Sequence, residues 1–223
     1  MPVKIIKHIK QGTLLKRSAF YGRDIKNYIK HGPSAPKFAE RIWIIPDDKT
    51  MFLTAASMRK YIGMSNQEAS GRVIEFSWPV EKAIPVCKLT KIKMCLEHWR
   101  NGISWEDTGI YEYMEKMILE YGEHDGCKNT DDLIKRYEKL DILFEQARQE
   151  GRLRTWEELN PNHADKRRDS GFVHIGPKGK HYWAGAGQHR LAIGYILKIP
   201  LPAQIGCIHF SALPYLHQLR KIN

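Results

Sequence analysis

The residue types best suited to chemistry concentrate between Trp183 and Leu197, in the run WAGAGQHRLAIGYIL. Two glycines, a polar triplet and an apolar run read as strand, tight turn and buried helix. Gly185 and Gly187 would let the backbone come close to a ligand. The first free amides of the helix would point at that ligand, and Gln188, His189 and Arg190 would add donors or charge. Such a turn suits phosphate. The alternative at this point is a strand-to-helix connection whose Arg190 braces a carboxylate.

Several elements must position this turn. Residues 171–175 and 181–183 flank Gly176-Pro-Lys-Gly179, which predicts a β-hairpin. Pro200 stops the helix after Gly187. Pro202 to Phe210 carries alternating apolar residues as a last strand, followed by a short helix over Ala212 to Arg220. Upstream, Ile84 to Ile92 suggests an extended segment entering a core. Ser104-Trp-Glu-Asp107 has the form of a capping box for a helix running to about Tyr121. Asn129 or Thr130 caps another helix, in which Leu133, Tyr137, Leu140, Phe144 and Ala147 form a core-packing stripe. The polar stretch 160–169 reads as a loop over the site or a mobile surface segment.

Residues 1–82 look like a smaller lead-in. Val3 to Ile9 is a short strand or helix, Gly32 to Pro36 a loop, Arg41 to Ile45 a strand, Thr54 to Ile62 a helix and Gly71 to Trp78 a strand. The class is therefore α+β, with a basic N-terminal element at 1–82 and a main domain at 83–223 that holds a helical insertion at about 104–150.

At 223 residues and 42% hydrophobic, the chain can build a sizeable core. No stretch approaches the roughly 20 apolar residues of a membrane span, and the Lys-rich start lacks the apolar block of a signal peptide. The expectation is a cytoplasmic protein with no integral membrane segment. Cys87, Cys95, Cys127 and Cys207 are scattered, so neither a disulfide framework nor a structural metal is indicated. The formal net charge of +11 favours an anionic partner. Residues 1–50 hold eleven Lys and Arg against four acids, a face that could track nucleic-acid phosphates or simply be solvated.

The element order from residue 84 onward, with G-x-H-R at the helix entrance, resembles the ParB/sulfiredoxin-like superfamily over roughly residues 84–210. ParB-type proteins carry G-E-R-R where this chain has Gly187-Gln-His-Arg190, followed by a helix and a strand at the positions of Leu191 to Leu197 and Ile199 to Ile205. Sulfiredoxins show G-G-C-H-R, free-serine kinases of this fold D-G-H-H-R, and the DGQHR domains a similar core. Gln188 stands where the sulfiredoxin cysteine falls, which argues against sulfinic-acid repair. Ala186 replaces the aspartate of the serine kinases, and no helix-turn-helix of the ParB kind is read in the residues to Asn223.

The resemblance implies a nucleoside di- or triphosphate lying on the amide end of the helix. Gly185, Gly187, Gln188, His189 and Arg190 would bind it, with Arg190 pairing to phosphate as a fork and His189 stabilising charge in transfer. Phosphoryl transfer also needs a carboxylate, and usually a divalent cation such as Mg2+. Glu106 is the candidate base by placement, with Asp107 beside it, and plain helix capping explains both equally well. Arg100, with Lys91 and Lys93, could line the mouth and touch substrate, or lie on a solvated face. His174 would face the cleft beside the hairpin, whereas His209 ends the last strand, and no spacing demands a metal at either. The leading expectation is a nucleotide-dependent phosphotransferase acting on a hydroxyl of a small molecule or glycan. The alternative is a nucleotide-gated or plain DNA- or RNA-binding module. A nuclease comes third, since no dense acidic metal cluster is present.

Overall fold

The computed structural model describes residues 21–63, 65–75, 77–78, 80–162 and 171–221. The expected element at Val3 to Ile9, the first twenty residues of the basic stretch and most of 160–169 lie outside them. In chain order the elements are a helix over 21–31 (α1), β1 (Arg41–Ile44), β2 (Met51–Leu53), α2 (Ala55–Ile62), α3 (Asn66–Ala69), β3 (Val73–Ile74) and β4 (Ile84–Pro85). Then come α4 (Thr90–Asn101), α5 (Ile110–Tyr121), α6 (Thr130–Glu150), α7 (Trp156–Leu159), β5 (Phe172–Ile175), β6 (His181–Ala184), α8 (Gln188–Leu197), β7 (Leu201–His209) and α9 (Leu216–Leu219).

The strands form one mixed sheet in the order β1-β7-β5-β6-β2-β4, with β3 also paired to β7. The predicted hairpin is β5 against β6, in register from Phe172 opposite Ala184 to Ile175 opposite His181. Strands from both sides of residue 82 share this sheet: β1 and β3 bond to β7, and β2 bonds to β6. Side-chain parity explains how both faces are covered. Successive strand residues point to opposite faces, so Phe52 and Trp183 join the larger core with α4, α5, α6 and α8, while Leu53 and Tyr182 join a smaller core with Met58 and Ala69 from α2 and α3. The last strand was read as alternating; instead β7 is buried at seven of nine positions, because helices pack on both of its sides.

Helix α8 lies against α4, and the two run parallel. Lys91, early in α4, is felt at His189, and Arg100, late in α4, shares a pocket with Tyr195. This contact corrects the reading of Ile84 to Ile92 as extended. Only Ile84 and Pro85 pair as strand, and helix begins at Thr90 because Ile92, Cys95 and Trp99 fall at i, i+3 and i+7 on the face that enters the core. Half of the Ser104–Asp107 box forms, with Asp107 N donating to Ser104 Oγ at 3.1 Å, but this bond closes a turn. Helix α5 starts later, after Gly109 in the left-handed region. The predicted strand at 71–78 shrinks to Val73–Ile74. Asn129 caps α6 by accepting from Asp132 N, and all five residues of its predicted stripe are buried. Among the described residues no helix is long and apolar enough to cross a membrane.

Candidate functional site

Gly185 at φ +87° and Gly187 at φ +82° adopt the left-handed backbone that their sequence positions called for. Gly187 caps α8 without any side-chain hydrogen bond, so its first turn stays open. Trp183 Nε1 donates to Ala186 O at 3.0 Å and pins the turn to β6. A methyl group on Gly185 would stand 3.4 Å from Asn66 Nδ2, so α3 forms the near wall.

Behind this turn lies a buried polar cluster. His189 points inward, its Nε2 lying 3.2 Å from the Tyr137 hydroxyl with the two rings edge to face. Burial, reinforced by the charges of Lys91 and Arg136, holds its imidazole well below the ordinary range, so it is neutral. Lys91 is only 7% exposed. Its ammonium lies 2.5 Å from Asp125 Oδ2 and 3.2 Å from His124 Nε2. Asp125 is delivered by a turn in which His124 and Cys127 exchange backbone bonds of 3.0 Å, with Asp125 at φ +52° and Gly126 at φ +79°. Two consecutive left-handed residues make this a type I′ turn, for which Asp-Gly is a preferred pair. Burial opposes charge on Asp125, but the Lys91 hydrogen bond and the cations around it hold its carboxyl below the usual range. Because α4 and α8 are parallel, the positive ends of both helices face the same side as this cluster.

The predicted residues separate. Lys91 joins the cluster, while Lys93 is exposed. Gln188 is half-buried in the first turn of α8. The Arg190 guanidinium donates to the Arg154 carbonyl, tying α8 to the segment after α6. Arg100 stands at the far end of α8, with Asp48, Tyr195 and Lys198, about 15 Å along the helix from the glycine turn. Parallel packing of α4 on α8 carries it away from the mouth it was expected to line. Glu106 is exposed on the turn before α5. Its charge, after burial and the charges of Asp141 and Glu138, helps raise Tyr111, whose ring stands edge-on to Tyr137. Asp107 is engaged in the Ser104 turn. His209 accepts from Ser211 N and caps the short helical turn after β7.

His174 does not face a cleft: it is fully buried. The ladder between β5 and β7 shifts register between Val173 and Ile175, so β7 carries an extra residue and the Cys207 amide leaves the ladder. His174 Nδ1 accepts that amide at 3.0 Å. The ring proton therefore sits on Nε2, which faces Asn66 Oδ1 at 3.2 Å. Burial drives this imidazole down to about 4. Asn66 thus links His174 to the wall of the glycine turn.

A second network holds the helical layer. The Asp141 carboxylate accepts from Trp99 Nε1 at 2.8 Å, Trp105 Nε1 at 3.0 Å and His98 Nε2 at 3.1 Å. The His98 ring stacks on Trp105 at 3.8 Å.

Sequence reasoning missed Asp125, His124, Arg136 and Tyr137 as parts of one cluster. The legible signal was His124-Asp-Gly-Cys127, a tight-turn pattern between two helices. Tyr137 was recognised only as core. No group of three or more His, Cys, Asp or Glu side chains that could hold a metal occurs among the described residues. No family model, curated protein or solved structure matches the chain.

Proposed function

We propose that the protein binds the phosphates of a nucleoside di- or triphosphate at the start of α8 and transfers a phosphoryl group to a hydroxyl. The observation that carries this reading is the pairing of an uncapped, glycine-entered helix start with the buried Lys91 ammonium behind it. Backbone amides and a fixed cation are what a phosphate needs. The G-x-H-R resemblance to ParB/sulfiredoxin-like proteins points the same way. In this proposal the amides of the first turn and Lys91 neutralise phosphate, and neutral His189 positions Tyr137. Asp125, whose ionised carboxylate belongs to the cluster behind the helix start, orients the acceptor in place of the exposed Glu106. Mg2+ would arrive with the nucleotide.

A thermal-shift panel of nucleotides with and without Mg2+ tests the reading, because a ligand that binds only the folded state raises its unfolding temperature. Absence of a shift with every nucleotide sinks it. Arg190→Ala should weaken binding about tenfold or more if the guanidinium reaches phosphate, and should leave it unchanged if Arg190 only holds the Arg154 carbonyl. Asp125→Asn and Glu106→Gln then assign the base: the true one loses turnover and keeps nucleotide affinity. The second reading, a nucleic-acid-binding module, is favoured by the +11 charge. It requires duplex binding that falls steeply with salt.

A further inference from the structure

We infer that the groove between α6 and the Asp125–Gly126 turn is a second anion site, one that takes a small phosphomonoester with an apolar body. The groove has a volume of about 390 Å³, within the range of small-molecule pockets. Lys135, Arg136 and Lys139 line it, together with Leu140, Leu143 and Cys127.

The two lysines lack counter-charges. Lys135 and Lys139 stand at i and i+4 on α6, where like charges repel, and neither has a carboxylate within ion-pair distance among the described residues. Arg136 reaches Asp125 only at 3.9 Å, too far for a hydrogen bond. Its Nε is buried without a hydrogen-bond partner among the described residues. The side chain as a whole is about a third exposed and lines the groove, where an anionic oxygen can meet the guanidinium. Asp132, the carboxylate of the groove, accepts from the Lys128 amide at 3.0 Å and is not paired with Arg136.

Three cations around one space match a phosphate dianion, and a guanidinium binds its oxygens with defined geometry. The leucines extend the groove with an apolar strip, which bare phosphate would leave exposed to water. A phosphate on an aliphatic or aromatic body satisfies both parts. This site shares Arg136 and the Asp125 turn with the cluster behind α8, but Lys135, Lys139 and the leucines belong to the groove alone, so lysine and Arg190 variants tell the two apart.

Isothermal titration with phenyl phosphate tests it, with inorganic phosphate and phenol as partial probes. The intact protein should bind phenyl phosphate at least about tenfold more tightly than either part alone, as expected when charge and apolar contact add. Both lysines are exposed, so Lys135→Ala/Lys139→Ala should fold normally and weaken binding about tenfold or more. Arg136→Gln should do the same, and Arg190→Ala should change nothing. No binding by the intact protein, or unchanged affinity in the double variant, overturns the inference. Loss in Arg190→Ala with retention in the lysine variant overturns it too, and assigns the ligand to α8 instead.

Discussion

Lys91 Nζ and Asp125 Oδ2 meet at 2.5 Å behind the first turn of α8, joining the start of one core helix to a two-residue turn between two others. Lys91 is the more deeply buried partner, so removing it leaves a partly buried carboxylate without its charge partner. Lys91→Met should cost roughly 2–4 kcal/mol in urea unfolding. Lys91→Met with Asp125→Asn should recover part of that loss. Additive effects of the two changes would mean that the pair is not coupled.

The glycine turn makes a separate prediction. Gly187→Ala forces a side chain into a left-handed conformation, at about 1–2 kcal/mol. If α8 carries the phosphate, the strained turn should also weaken nucleotide binding beyond the effect of stability alone. Equal nucleotide affinity in this variant would count against the turn as a binding element.

Acid should weaken the fold through the buried, neutral His174 and His189. An unfolded histidine titrates near 6.5, whereas burial drives His174 down to about 4 and depresses His189 as well. Below pH 6.5 the unfolded chain takes up protons that the native state refuses, so stability falls as pH drops from about 6.5 towards 4, by on the order of a few kcal/mol. Urea midpoints measured from pH 7.5 down to 4.5 check this. A flat profile would show that the two rings take up protons as readily in the native state as in the unfolded chain.

Asp141→Asn keeps the shape of the carboxylate but removes its charge and one acceptor oxygen. Trp99, Trp105 and His98 all donate to it, so a loss of roughly 2–4 kcal/mol is expected. Tryptophan fluorescence should shift along with it, since two of the donors are indoles. A variant with native stability would show that aromatic stacking alone holds the layer.

Local signals were legible where physics is local. The hairpin around Gly176–Gly179, the Asn129 cap, the α6 stripe and the Gly185–Gly187 backbone all follow from residue types at fixed offsets. Placement across the chain was not. Arg100 and Lys91 are nine residues apart on one helix, and only the parallel packing of α4 on α8 decides which of them reaches the glycine turn. His174 looked like a cleft residue because its neighbours alternate. The bulge opposite it, and Gly206, where a Cβ would come within 2.3 Å of the ring, put it inside instead. The Ser104–Asp107 box was read as the start of α5, since the same hydrogen bond serves a helix or a turn.

The position of β7 bears on how the protein is made. Arg41 pairs with Gln204 and Val73 with Ile208, so β1 and β3 wait for a partner that leaves the ribosome long after they do. Until residues 201–209 emerge, β1, β3 and β5 have open edges, which makes them prone to pair with other chains. A chain stopped after α8 would keep the glycine turn and the Lys91 cluster in its sequence yet lack the strand that joins them to a sheet. Its fate would be aggregation.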